Sequence, residues 1–368
     1  MTMSRLLQCL AALFLLDMLA VTGFTTKQLA SSEELRQIAH KSARKIPFSQ
    51  SSLKTWRLWS ETFLQHIRSD LLLQLAVPVN HTALRDLSSS LGIAADTGFM
   101  PSFADESARA GYAVEYFCRA QLAADLLFGS AEPAFLVQAV QNLLSSSDSC
   151  RLTSLGGGPG FDFVAAVLTA TYKSQQKEQQ PTRIQAIVLD YELGWAPLVH
   201  AMGRSVHSIL GGPHTCDFGG CDITLPLADP SNRQAADRAS DTNVWICSYC
   251  VAENAAKLRH DDYVFFRDLF AASQQGAFFV FTETTHRIWP ELAQAAMAEA
   301  TGFDIAFPRR EDGRGKRGRQ MVLQKRLGAT MGEIEKELCI LFQGNNELHE
   351  RKIRNGSRRQ VRKIRGGK

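Results

Sequence analysis

From residue 51 to 75 the chain reads SSLKTWRLWSETFLQHIRSDLLLQL. Its apolar positions Leu53, Trp56, Phe63, Ile67 and Leu71 return at intervals of three, four and seven near one face. That period predicts an amphipathic helix. Asp105 stands just ahead of SARAGYAVEYFCRAQLAADLLF, where a short acidic side chain can cap the orphan amides of a long helix carrying Ala113, Tyr116, Phe117 and Ala120 on one side. Leu136–Leu144 predicts a further short helix. The aromatics of these helices read as core.

The texture changes after Asp148. Short apolar runs (RLTSL, AIVLD, DITL, NVWICSY, AFFVFTE) alternate with helical stretches such as FDFVAAVLTATY and APLVHAMGRSVHSIL. This alternation predicts βαβ units and a doubly wound α/β sheet. FDIAF and RQMVLQK, joined by the polar REDGRGKRG, predict that the sheet closes with an antiparallel hairpin. TYKSQQKEQQPT reads as a polar insertion before AIVLD.

Composition sharpens this picture. A chain of 368 residues that is 45% hydrophobic and 21% charged can bury a full core, which excludes a disordered or collagen-like protein. Eight cysteines at irregular spacing are too dilute for a disulfide scaffold. The net charge of +4 is uneven: 18 of the 41 Lys and Arg, but only 7 of the 37 Asp and Glu, fall from Arg309 onward. The end of the chain, RKIRNGSRRQVRKIRGGK above all, is therefore basic and suited to a phosphate backbone such as RNA, or to an anionic surface.

The start has one Arg and an apolar stretch, LLQCLAALFLLDMLAVTGF, interrupted by Asp17 and too short for a stable membrane span. It reads as a secretory-type signal over residues 1–24. With Phe24 and the hydroxyl-rich, basic TTKQLASS behind it, it also looks like the two-part plastid presequence of algae with complex plastids. Cytoplasm or nucleus is the alternative location.

The most informative stretch is SLGGGPGFD, a strand end followed by glycines 156, 157, 158 and 160 and a helix start. Glycines there let backbone amides approach a ligand. The acid closing AIVLD, Asp190, can accept both hydroxyls of a ribose. A phosphate-binding loop would need Lys-Ser or Lys-Thr where Phe161 and Asp162 stand, and the spacing is not the G-x-G-x-x-G of dinucleotide folds. Asp162 would repel a pyrophosphate but tolerates a sulfonium and its amino group. Cys216, Cys221, Cys247, Cys250 and His214 could supply metal ligands, but Cys247 and Cys250 on one strand would point to opposite faces, so no metal site is expected.

The loop resembles motif I of class I S-adenosylmethionine-dependent methyltransferases, and the closing hairpin extends that likeness over residues 150 to 326. The resemblance implies a Rossmann-like seven-stranded domain at 149–327, between a helical region at 25–148 and a basic tail at 328–368. It further implies S-adenosyl-L-methionine as cofactor, with Gly156, Gly158 and Gly160 around the methionine part, Asp190 at the ribose, and Leu155, Gly157 and Tyr191 as further cofactor-binding residues. Asp222 at the end of the third strand would meet the adenine amine, Ile223 the adenine ring, and Ser248 and Tyr249 the transferred methyl. Tyr249, Glu253 and His286 are the expected catalytic residues, with Glu283 a further polar candidate. The fourth strand lacks the Asn-Pro-Pro-Tyr type of sequence, which lowers support for amino methylation.

SLGGGPGFD, LDYE, CDIT and SYCVAE together also look similar to a eukaryotic group that includes fungal large-subunit ribosomal RNA uridine-N3 methyltransferases. The expected function is thus methylation of RNA. A protein or small-molecule acceptor, or a catalytically silent binding module on the same fold, is the alternative.

Overall fold

A computed structural model describes residues 31–43, 53–75, 77–97, 102–128, 131–132, 135–283, 288–299, 302–310 and 320–326. The signal-like start, His286, the hairpin loop and the basic end of the chain lie outside them. No helix among the described residues is long and apolar enough to cross a membrane.

Seven strands form one sheet: β1 Ser149–Leu155, β2 Arg183–Asp190, β3 Thr215–Gly220, β4 Val244–Ser248, β5 Phe278–Thr282, β6 Phe303–Ala306 and β7 Gln320–Lys325. Their order is 3-2-1-4-5-7-6. β1 through β5 pair in parallel, while β7 runs antiparallel between β5 and β6, in register Phe281↔Met321 and Ile305↔Leu323. The protein is therefore an α/β, Rossmann-like fold closed by the antiparallel hairpin its sequence predicts. The strand order reverses between β1 and β4, and in such sheets ligands bind at the carboxyl ends of the strands beside that switch point.

Side chains alternate across the sheet with a period of two. Val188, Val244, Ile246, Phe278 and Val280 face one core cluster; Leu189, Trp245, Cys247, Phe279 and Phe281 face the other. The first cluster is continuous with the helical region: α1 Ser32–Ala43, α2 Leu53–Gln74, α3 His81–Thr97, α4 Glu106–Glu115, α5 Cys118–Leu127 and α6 Phe135–Ser146. α2 buries the predicted stripe, with Trp56 stacked on Phe128 at 4.5 Å and edge-on to Tyr172 at 5.1 Å. The Trp56 indole N–H donates to Asp125 at 3.0 Å, so its polar end is satisfied inside the core.

Tyr172 belongs to α7 Phe161–Lys177, which is buried on nearly every side because it is sandwiched between the sheet and α5 and α6. α8 Ala196–Leu210 continues that layer, and α2 packs on it. On the opposite face lie α9 Arg233–Ala239, α10 Ala255–His260, α11 Val264–Ala272 and α12 Trp289–Met297.

Four local expectations change. The polar insertion is largely helical: α7 runs on through Lys177, burying Tyr172 and Ser174, and only a short connection precedes β2. The long helix after Asp105 breaks at Tyr116 and Phe117 into α4 and α5, with i+3 hydrogen bonds Arg119 N–H to Tyr116 C=O and Ala120 N–H to Phe117 C=O across the break. Asp105 caps α4 as expected, accepting the Ala108 N–H at 2.7 Å. β3 is TCDFGG rather than DITL: residues 215–220 pair with Gln185–Asp190 of β2, and DITL forms a turn beyond the strand. β4 stops at Ser248, and Tyr249 adopts φ +66°, so the chain doubles back instead of running on to Cys250.

Candidate functional site

At the switch point the ends of β1, β2 and β4 open into a cleft, the place where sheets of this order bind ligands. Gly156, Gly158, Asp190, Asp222, Ser248 and Glu253 all line it, and Tyr191, Ile223 and Tyr249 complete the set of expected residues found there. Gly157 lines its extension over the glycine loop. Two expected residues stand behind the wall instead. Leu155 is buried beneath it with its carbonyl 3.4 Å from the Cys250 thiol, and the Gly160 N–H closes the turn onto the Gly157 carbonyl at 3.0 Å.

The loop needs glycine most plainly at Gly156. Its φ is +58°, and a Cβ there would stand 2.6 Å from the Cβ of Cys250. Asp190 ties this loop to the tip of β2. One carboxylate oxygen accepts the Gly158 N–H and the other the Glu192 N–H, both at 3.0 Å, and each retains a lone pair for a ligand. Burial raises its pKa to about 6, against the lowering effect of the Glu192, Gly158 and Tyr191 amides.

Asp222 accepts the Thr224 N–H and hydroxyl at 2.9 and 2.7 Å through Oδ1, which leaves Oδ2 without a hydrogen bond among the described residues. Its backbone is held by Asn232, whose side chain accepts the Asp222 N–H and donates to the Asp222 and Pro226 carbonyls. The third acid, Asp162, stands at the start of α7 and accepts the Ser154 hydroxyl at 2.7 Å and the Ser248 hydroxyl at 2.8 Å. Burial raises its pKa, opposed by those two hydroxyls.

The turn after β4 carries Tyr249 and Glu253. It is pinned by Glu283, at the end of β5, whose Oε1 accepts the Val251 and Ala252 N–H groups at 2.7 and 3.1 Å. Glu283 is thus a buried brace rather than a cleft residue. Burial first, and the negative charge of Glu283 second, raise the Glu253 pKa to about 8. At neutral pH Glu253 is mostly a neutral acid, able to donate as well as accept.

The helical region supplies aromatic and cationic side chains that sequence periodicity alone places in the core or leaves unassigned. Phe103, Tyr112 and Arg119 line the cleft, and Trp195 joins them from the loop after β2. Arg109 holds this wall in place. Its guanidinium donates to the Phe103 carbonyl, lies 4.0 Å from Glu192 and packs directly against Gly194. One signal was legible: Tyr112, Tyr116 and Arg119 recur at four and three residues, the spacing of one helical face.

Cys247 and Cys250 do not point apart. The turn at Tyr249 returns Cys250 to the β4 tip, with the two sulfurs 2.9 Å apart. His214 is occupied as the acceptor of the Ile184 N–H at 3.2 Å. Among the described residues no group of three or more His, Cys, Asp or Glu is placed to hold a metal ion.

No family model and no curated protein matches the chain. Among solved structures it is similar to MNMC2 from Aquifex aeolicus, at 12% identity and TM-score 0.35 over 58% of this chain and 66% of that one. It is similar to TrmN from Thermus thermophilus, at 17% identity and TM-score 0.33 over 56% of this chain and 52% of that one. A third is a geranyl diphosphate C-methyltransferase from Streptomyces coelicolor, in a complex that includes S-adenosyl-L-homocysteine, at 13% identity and TM-score 0.30 over 62% and 72% of the two chains.

Proposed function

We propose that the protein is an S-adenosyl-L-methionine-dependent methyltransferase whose acceptor is RNA. One observation carries the cofactor reading: the glycine loop, the carboxylate ending β2 and the carboxylate beyond β3 line a single cleft at the switch point of the sheet. The donors and acceptors fit the group. Asp190 keeps a lone pair on each oxygen for the two ribose hydroxyls, Asp222 keeps Oδ2 for an exocyclic amine, and Ile223 and Tyr191 offer apolar surface beside them.

When bound, the cofactor supplies an electrophilic methyl on a sulfonium. The chain's own residues then have three tasks. Asp162 fixes Ser248 at the tip of β4. Glu283 fixes the turn that presents Tyr249 and Glu253. Glu253, in its ionised form, takes the proton of the acceptor group, and its raised pKa makes it a stronger base than an ordinary carboxylate once ionised. Phe103 and Tyr191 offer aromatic surface against which a planar base can lie.

RNA is favoured over a protein or small molecule by the charge of the chain's last 60 residues, 18 Lys and Arg against 7 Asp and Glu. Two measurements test the reading. Calorimetry with S-adenosylhomocysteine should show binding that Asp190→Ala removes; no binding by the intact protein would leave a silent module. Tritiated methyl transfer into a fractionated cell extract should label RNA, with affinity for RNA falling steeply in salt and the slope diminishing when residues 351–368 are deleted. Label in the protein or small-molecule fraction would overturn the RNA assignment.

A further inference from the structure

We infer that Arg119, carried by the helical region, binds the carboxylate of the cofactor's amino-acid end, so that α5 completes the cofactor site rather than merely covering it. This rests on the cofactor reading above and adds a residue to it.

The cleft continues from Asp190 across the glycine loop into a compartment bounded by Gly157, Pro159, Phe161, Asp162, Tyr112 and Arg119. The Arg119 guanidinium lies over three rings, 4.3 Å from the centroid of Tyr249, 4.9 Å from Tyr116 and 5.2 Å from Tyr112. Rings hold a guanidinium by its charge and its faces, and leave the N–H donors in its plane for other partners. Of the five donors, one goes to the Tyr112 hydroxyl.

No carboxylate among the described residues lies within ion-pair distance of Arg119. A cation has thus been placed by aromatic packing, against a cleft, where its charge reaches Glu253 but forms no ion pair among the described residues. Across the same compartment stands Asp162, held toward Ser248. A cation on one side and a carboxyl group on the other complement a zwitterion, carboxylate to Arg119 and ammonium toward Asp162. The compartment opens onto the nucleoside half through Gly156, Gly158 and Ser248, which line both. A ligand with a nucleoside at one end and an α-amino acid at the other therefore meets complementary groups along its whole length. Arg is suited to the task because its planar fork matches a carboxylate in two parallel hydrogen bonds.

The test uses two ligands and the full-length protein. S-Adenosylhomocysteine carries the amino-acid end; 5′-methylthioadenosine keeps the nucleoside and thioether but lacks it. By calorimetry, Arg119→Ala should weaken S-adenosylhomocysteine binding about 10- to 100-fold, the range of a hydrogen bond to a charged group. It should leave 5′-methylthioadenosine within about twofold of wild type, as expected where no contact has been removed. Arg119→Lys should recover part of the loss, retaining the charge but not the fork. The inference is overturned if S-adenosylhomocysteine binds both proteins equally, or if 5′-methylthioadenosine loses as much, which would mark a structural role. Loss of RNA affinity with S-adenosylhomocysteine unchanged would also overturn it and assign Arg119 to the acceptor. Wild-type protein binding neither nucleoside would instead remove the cofactor reading itself.

Discussion

One wall of the cleft is made of backbone and strand tips, the other of side chains brought in by a separate layer of helices. On the first, Gly156 and Gly158 expose their main chain and Asp190 clamps the loop from the neighbouring strand. On the second, Phe103, Tyr112 and Arg119 reach the cleft from α4, α5 and the segment before them, and Arg109 fastens that segment to the loop carrying Gly194 and Trp195. The difference is one of tolerance. A backbone wall fails when a single methyl group is added, because the main chain cannot move aside without shifting β1. A side-chain wall can be trimmed residue by residue, losing contacts while the fold persists.

The largest expected effect lies on the backbone wall. Gly156→Ala combines a left-handed φ, about 1 to 2 kcal/mol for a residue with a Cβ, with a 2.6 Å approach to Cys250. S-Adenosylhomocysteine affinity should fall at least about 100-fold by calorimetry, since a misplaced loop loses several contacts together. Retained affinity would show that this wall is not the cofactor's seat.

Next is Glu253→Gln. Under single-turnover conditions at pH 8 the methyl-transfer rate should fall about 100-fold, the scale of a lost general base. The wild-type rate should rise with pH to a plateau, with its midpoint near 8, because burial favours the protonated acid below that value. The variant should be flat across the same range.

A smaller effect follows from Asp190. Its folded-state pKa of about 6 stands above the ordinary 3.8, so the folded protein binds the extra proton between those values. Without ligand the protein should lose stability as pH rises through that window. A ribose diol prefers the ionised form, so S-adenosylhomocysteine affinity should fall as pH drops below about 6, by up to about tenfold per pH unit. Isothermal titration at stepped pH measures both the affinity and the proton taken up or released. Affinity independent of pH from 5 to 7 would place the nucleoside elsewhere.

The smallest effect sharpens the comparison at the seam between the walls. Tyr249 belongs to a strand tip by sequence but serves the aromatic wall, and it is held at φ +66°. Tyr249→Gly should be more stable than Tyr249→Ala by about 1 kcal/mol in chemical denaturation, because glycine adopts that conformation without strain. Both should lose the ring and share the same activity defect. Equal stability of the two variants would mean the turn relaxes once the ring is gone.

What the chain revealed about the first wall came from short-range signals. SLGGGPGFD couples a strand end, a glycine turn and a helix start within nine residues, and the acid of AIVLD follows at the next strand tip. β3 is not legible in the sequence because its own residues carry little strand character. TCDFGG is half exposed with two glycines, whereas DITL has the apolar, β-branched look of a strand. Pairing to β2 decides the matter. The Cys247–Cys250 spacing misled for a related reason: alternation holds only while a strand continues, and this one ends at Ser248.

The sequence by itself determined the alternating α/β order, the closing hairpin, the glycine loop and the acids that flank it, because each is encoded by residues close together along the chain. Only the tertiary structure decided that the helical region shares a core with one face of the sheet and that Tyr112 and Arg119 enter the cleft. Those placements depend on packing between elements far apart in the chain, where Trp56, Phe128 and Tyr172 interlock, and periodicity within one segment carries no information about which distant surface it will meet.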